Sequence, residues 1–304
     1  MVIPTVSIVF PILNGINYTL RNLKSIQSLN YPPKNLEVII FDNGSSDNSE
    51  KIIKKNCPKA GKASPRVRII KSKKNLGFAK AVNLALKTAK SEYFFITNND
   101  VILGRDSILD LVSFLIKNPE VGIVGPKIYN LYRPGEILGR PLFYHFAIGA
   151  FTQGKATEVP KEVDWVQGCG LCIAKSLWQN LKGFDEGFFF IGEELDLCLR
   201  AKHLGFKVVY LPDATIWHAG GATIANPQLQ YFNYYQGYKS KFRLIIKHGN
   251  IFEVISALFT QLFLFTPYRS LILREKSFTA LTRALYWNIK NITKTLSARN
   301  HDSK

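Results

Sequence analysis

The residues best equipped for chemistry in this chain stand at the ends of apolar runs. YFFITNND, residues 93–100, is an aromatic and β-branched stretch that stops at two amides and a carboxylate: Asn98, Asn99 and Asp100. In a parallel α/β sheet, ligands bind beyond the carboxyl ends of strands, so oxygen donors there are placed to meet a metal ion or a phosphate. A plain Asx turn after a strand has the same composition. LEVIIFDNGSSD delivers Asp42 in the same manner, either to accept from a base N–H or ribose hydroxyl, or to make a turn before a helix capped by Asp47. In KNLGFAKAVN, Gly77 and Ala79 at a helix start leave room for backbone to approach a ligand, and Lys80 offers charge to a phosphate. GEELDLCLR opens a helix on Glu193 and Glu194; first-turn acids also complement the helix dipole, and Asp196 and Arg200 have i,i+4 spacing. Trp165 in VDWVQGCG offers a flat face to a pyranose or an ordinary core side chain, and Gly168 and Gly170 allow close backbone approach.

Positioning these groups requires alternating elements, and the sequence supplies them. Strands at 5–10, 36–41, 66–71, 93–97 and 121–125 alternate with helices at about 17–29, from Asp47, at 78–89 and at 106–117. This βαβαβαβαβ pattern predicts a doubly wound, mostly parallel sheet with right-handed crossovers. After about Pro126 the pattern loosens, with a short strand at 164–166, a helix at 193–204 and strands at 207–210 and 215–218. No GxGxxG follows the first strand and no GxxxxGK[ST] occurs, which disfavours ordinary NAD enzymes and P-loop NTPases.

Composition sets the outer frame: 304 residues, 46% hydrophobic and 20% charged, enough for one large core with an appendage. Cys57, Cys169, Cys172 and Cys198 are scattered; Cys169 and Cys172 have CxxC spacing but lack partners for a zinc set, so all four are expected as reduced thiols. The chain opens into VSIVFPIL without a basic n-region, giving a cytoplasmic expectation. Net charge is +18, and half of the excess lies between Lys239 and Lys304, where twelve Lys and Arg face three acids. No nucleic-acid motif accompanies that charge, so no nucleic-acid partner is expected. Within the tail, IFEVISALFTQLFLF (251–265) reads as an apolar helix with a narrow polar stripe at Glu253, Ser256 and Thr260. The uncharged run from Val254 to Tyr268, at 15 residues, falls short of the ~20 that span a bilayer. Two readings stay open: a helix in the plane of an anionic membrane surface, flanked by Lys241, Arg243, Lys247, Arg269, Arg274 and Lys276, or one packed on the core or in a homodimer.

The ordered set SIVFPILNG, VIIFDNGSSD, NLGFAKAVN, FFITNND, VDWVQGCG, GFDEGFFFIGEELDLCLR and IWHAGG resembles the family 2 glycosyltransferases of GT-A fold, in particular their rhamnosyltransferase-like branch, over about residues 5–221. The resemblance implies a GT-A, Rossmann-like α/β catalytic domain at 1–225, with a nucleotide-sugar half (1–126) and an acceptor half (127–225), followed by a helical basic tail at 226–304. It implies an inverting enzyme that moves a sugar from a nucleoside diphosphate sugar to a lipid-linked or cell-surface glycan acceptor, and the basic apolar tail adds the expectation of a peripheral place on the inner membrane face. Pro11 and Asn14 of the first motif, Asp42, Asn75, Gly77, Lys80, Asn98 and Asn99 would then border the nucleotide, with Trp165 near the sugar. Asp100 would take the metal position of the family's DxD element, and His218 would add a metal ligand or a diphosphate contact. The metal would be Mg²⁺ or Mn²⁺, bound weakly by the protein alone because two positions of that element are amides. Glu194 aligns with the general base, although its longer side chain departs from the usual Asp and leaves Glu193 as a rival. A non-catalytic nucleotide-sugar or polysaccharide binder with a degenerate metal site, and a nucleotidyltransferase on a similar sheet, are the alternatives.

Overall fold

Apolar runs that alternate with amphipathic segments build a sheet covered on both faces. The structure, a computed structural model, describes residues 3–56, 64–220, 229–272 and 278–302. Cys57, Gly221, Arg274 and Lys276, which figured in the sequence reading, lie outside them. The elements in order are β1 (Val6–Ile12), α1 (Ile16–Gln27), β2 (Leu36–Asp42), α2 (Ser49–Asn56), β3 (Arg66–Lys71), α3 (Phe78–Leu86), β4 (Tyr93–Thr97), β5 (Val101–Leu103), α4 (Ser107–Lys117) and β6 (Val121–Asn130). Then follow β7 (Ile137–Gly139), β8 (Leu142–His145), β9 (Ala150–Gln153), β10 (Lys161–Glu162), β11 (Gly170–Ala174), α5 (Lys175–Asn180), α6 (Glu193–His203) and β12 (Lys207–His218). The tail comprises α7 (Gln230–His248), α8 (Ile251–Phe259), α9 (Phe278–Lys290) and α10 (Ile292–Asp302).

The main sheet runs β10-β12-β6-β11-β4-β1-β2-β3, with β5 added to β12 and β7 to β6. β3, β2, β1 and β4 are parallel, as are β6 and β12. The mostly parallel sheet read from the sequence is present, but β11, which inserts antiparallel between β4 and β6, was missed. That strand is five residues long and begins at a glycine, too short to carry a periodic signal. The segment at 164–166 is a single bridge from Trp165 to Leu142 rather than a strand. The two strands expected at 207–210 and 215–218 are one strand, β12, with an irregularity between Leu211 and Thr215.

Side chains alternate strictly between two cores. Val9, Ile39, Phe41, Phe94 and Ile96 pack under α3, α5 and α6, while Ile8, Phe10, Val38, Ile40 and Phe95 pack under α1 and α4. The tail has its own cluster, in which Tyr238, Phe242 and Ile245 of α7 meet Ala257 of α8 and Ala280, Leu281 and Ala284 of α9. α7 is also fastened to the catalytic sheet by ions. Arg243 and Lys247 reach Asp185 at 2.7 and 3.2 Å, and Lys247 and His248 reach Asp196 at 2.7 and 2.8 Å. Lys241, Arg243 and Lys247 are therefore not flanking charges for a membrane helix. All three are turned inward, Lys241 onto Gln261 at 3.0 Å.

Candidate active site

Register explains how Asp100 and His218 meet. β5 begins immediately after Asp100 and pairs antiparallel with the end of β12, so that Val101 stands opposite His218. His218 Nε2 lies 3.1 Å from Asp100 Oδ1 and 3.5 Å from Asn98 Nδ2. Burial alone would lower the imidazole's pKa, but the Cys169 sulfur and the Asp100 carboxylate outweigh it and raise the pKa above the ordinary histidine value. His218 is thus held against the Asp100 carboxylate at the edge where a metal or a diphosphate was expected.

α1 holds the same turn from the other side. Asn22 donates to the carbonyls of Val101 and Asn98 at 2.8 and 3.2 Å, and Asn99 donates to Thr19 Oγ1 at 3.2 Å. Sequence reasoning missed Thr19 and Asn22. The signal was available: two polar residues three apart on the buried side of an amphipathic helix. The left-handed pair Asn14 and Gly15, at φ 63 and 77, ends β1 against this turn, since a Cβ on Gly15 would sit 3.3 Å from Asn99 Nδ2.

Asp42 ends β2, is fully buried and accepts from Ser45 N at 2.8 Å, with Lys71 Nζ at 3.9 Å from its other oxygen. The first two strand ends are clasped together: Asn14 N donates to Ser45 Oγ and Ser46 N to Asn14 Oδ1, both at 2.9 Å. Pro11 lies one residue before Ile12, the partner of Asp42 in the parallel register. Asn43, next to Asp42, braces the neighbouring loop. It accepts from Leu76 N at 2.8 Å and donates to Asn75 Oδ1 and Gly77 O at 3.0 and 3.2 Å, fixing the loop before α3.

Two expectations, for Gly77 and Trp165, need correcting in this region, and Lys80 has a protein partner at the surface. Gly77 makes room for protein rather than ligand: a Cβ there would be 2.4 Å from Phe189 O, which accepts from Phe78 N at 2.8 Å. Lys80 is paired with Glu186 at 3.1 Å. Trp165 is 7% exposed and wedged edge-on against Tyr144 and Phe151, so it is core and not a free platform for a sugar ring.

The acidic helix faces the same edge. α6 starts after Ile191 and Gly192, both at positive φ (69 and 98), a strained entry for a β-branched residue. Glu194 is partly buried and accepts from Gly192 N at 3.1 Å; burial raises its pKa. Glu193 is buried deeper, and its Oε2 has no hydrogen-bond partner among the described residues. Burial, then the charge of Glu194, push its pKa well above an ordinary glutamate's. The turn at residues 167–170 joins the two groups. Gly168 lies against Glu194, a Cβ there being 3.7 Å from that of Glu194, while the next residue, Cys169, lies beside His218 and accepts on its carbonyl from Thr97 Oγ1 at 2.7 Å.

A family model, Glycosyl transferase family 2, matches residues 7–181. The chain belongs to that family. An N-acetylglucosaminyl-diphospho-decaprenol L-rhamnosyltransferase of Mycobacterium tuberculosis is 26% identical over 213 residues, 60% of this chain and 66% of that protein. The chain thus spans just under two thirds of that relative's length. Among solved structures, S. aureus TarS in complex with UDP-GlcNAc superposes with a TM-score of 0.64 at 16% identity, covering 98% of this chain and 88% of that one. The mannosyltransferase PcManGT from Pyrobaculum calidifontis, in complex with GDP-Man and Mn²⁺, gives 0.60 at 18% identity, covering 99% and 86%. These likenesses show the GT-A fold for this family 2 chain.

A divalent ion would find one carboxylate here. Among the described residues no three His, Cys, Asp or Glu side chains converge on a point. Asp100 with its amide neighbours fits an ion that shares its coordination with substrate oxygens, not a cage built by protein alone. A cavity of about 620 Å³ lined by Asn83, Trp178, Gln179, Lys182, Phe184 and Glu186 contains none of the strand-end residues.

Proposed function

We propose that this family 2 glycosyltransferase is inverting and moves a hexosyl or deoxyhexosyl group, rhamnose in the first instance, from a nucleoside diphosphate sugar to a hydroxyl of a lipid-linked glycan precursor. The observation that carries the reading is the turn at residues 167–170, with Glu194 on one side and the His218–Asp100 pair on the other. A sugar lying over that turn would have its anomeric carbon between a base and a diphosphate-holding edge.

Asp42 would accept from the base or ribose with its remaining oxygen, and Asn14, Asn75, Asn98 and Asn99 would line the nucleotide. Asp100 would hold a divalent ion together with phosphate oxygens, and that ion would supply Lewis-acid stabilisation of the leaving diphosphate. His218, at 3.1 Å from Asp100, would add a ligand to that ion or a contact to the diphosphate. Glu194 would take the acceptor's proton as its oxygen attacks, and Glu193 would carry a proton beside it, sparing the site a second negative charge. The decaprenol and L-rhamnosyl terms in the name of the mycobacterial relative support the acceptor and sugar classes.

The test is a panel of nucleoside diphosphate sugars with extracted membrane lipid as acceptor, read by nucleoside diphosphate release. Release is expected for one donor class, with acceptor present, and lost on chelation and restored by Mg²⁺ or Mn²⁺. Nucleotide binding without release under every condition would instead identify a non-catalytic binder.

A further inference from the structure

α8 and the helical turns after it have two unlike sides. Asn250 and Glu253 close a reciprocal capping box that fixes the helix start. Ala257 then turns into the tail cluster, and Gln261 donates to the carbonyls of Ile148 and Gly149 at 2.8 and 3.3 Å. On the outer side Phe252, Ile255, Phe259, Phe263, Tyr268 and Leu271 recur every three to five residues through α8 and the π-helical segments at 260–265 and 268–272. Each is more than half exposed, Phe252 at 79%. Exposed apolar residues are normally scattered singly, whereas a contiguous aromatic and aliphatic stripe marks a binding surface.

We infer that this stripe docks the protein in the plane of an anionic bilayer, phenylalanines in the acyl region. The inference rests on the lipid-linked acceptor proposed above and names the surface that brings the site to it. No helix among the described residues is long and apolar enough to cross a membrane, so the stripe meets a bilayer from the side. Glu253 is tied into its capping box and Arg269 stacks over Tyr234, leaving the stripe itself free of charge. The tail that carries it is positive: Arg283, Lys290 and Lys294 are exposed on α9 and α10, and the chain as a whole carries +18, which attracts it to anionic lipid before the stripe inserts. The ion pairs from α7 to Asp185 and Asp196 fasten this surface to α6, so docking sets the height and tilt of Glu194 over the bilayer.

Flotation of the full chain with vesicles tests the surface. The protein should float with phosphatidylcholine vesicles doped with phosphatidylglycerol, less with phosphatidylcholine alone and less at high salt. The variant Phe252→Ser/Phe259→Ser/Phe263→Ser should partition about tenfold or more weaker for each ring removed, with an unchanged thermal melt because the rings are exposed. Equal flotation of variant and wild type overturns the inference. So does a wild-type dimer that the variant dissolves while neither binds vesicles, the result expected if the stripe covers a second copy. Turnover with a soluble acceptor should be the same in both proteins. If neither turns over any donor, sugar transfer falls, and flotation still judges the surface on its own.

Discussion

The front and back of α6 hold carboxylates in opposite states. At the front Glu193 and Glu194 are desolvated and their pKa values are raised. Within one turn, Asp196 is also fully buried, and burial alone would raise it too. Arg200, His248 and Lys247 more than offset that burial and lower its pKa. Arg200 Nε lies 2.8 Å from Asp196 Oδ2 and donates onward to the carbonyls of Leu181 and Gly183, so the back of the helix is fully wired. Groups pushed apart in this way have separate duties: the front pair is biased toward holding a proton, whereas Asp196 stays ionised and holds the helix to the tail.

Breaking the front should cost the most activity. Glu194→Gln is expected to lower kcat by about 10²–10⁴-fold, the usual contribution of a positioned base, with donor affinity nearly intact by calorimetry. Breaking the back should act on stability instead. Asp196→Asn leaves buried cations facing a neutral amide and should cost about 3–5 kcal/mol in denaturant unfolding. The pH dependence has a defined sign: because folding depresses this carboxyl, its stabilisation is complete above the unfolded aspartate value of 3.8 and is lost as pH falls through the folded value. A smaller effect is expected at the donor edge, where Asp100→Asn should lower kcat/KM at least about tenfold and raise the Mg²⁺ or Mn²⁺ concentration giving half the maximal rate. Glu193→Gln should change turnover least, since an amide mimics the protonated acid. A dead Glu193→Gln beside an active Glu194→Gln would exchange the two assignments.

The strand-end groups were legible because each sits at a change of pattern. An apolar run that stops at Asp42 or Asp100 announces both the strand and the edge it delivers to, and β1, β2, β3 and β4 fall within two residues of their expected bounds. The partners were not legible. Whether Gly77 serves ligand or protein depends on Phe189, more than 100 residues later, and whether Lys247 faces lipid or Asp196 depends on how α7 lies across α6. Periodicity shows which side of a helix is apolar but not which element covers it. For the same reason α8 read correctly as an apolar helix, while its flanking cations at Lys241, Arg243 and Lys247 were assigned to the wrong face. β11 escaped because a central strand of five residues, antiparallel to its neighbours, has no pattern of its own.

The pH profile of kcat/KM for sugar transfer tests most directly that the front of α6 supplies the base. It reports the free enzyme, in which burial raises Glu194 above the ordinary glutamate value of 4.5. The rate should therefore climb with pH through a single limb centred above that value, and Glu194→Gln should abolish the limb along with the rate. A wild-type profile already flat at pH 4.5 and above, or a limb that survives intact in Glu194→Gln, would contradict the assignment.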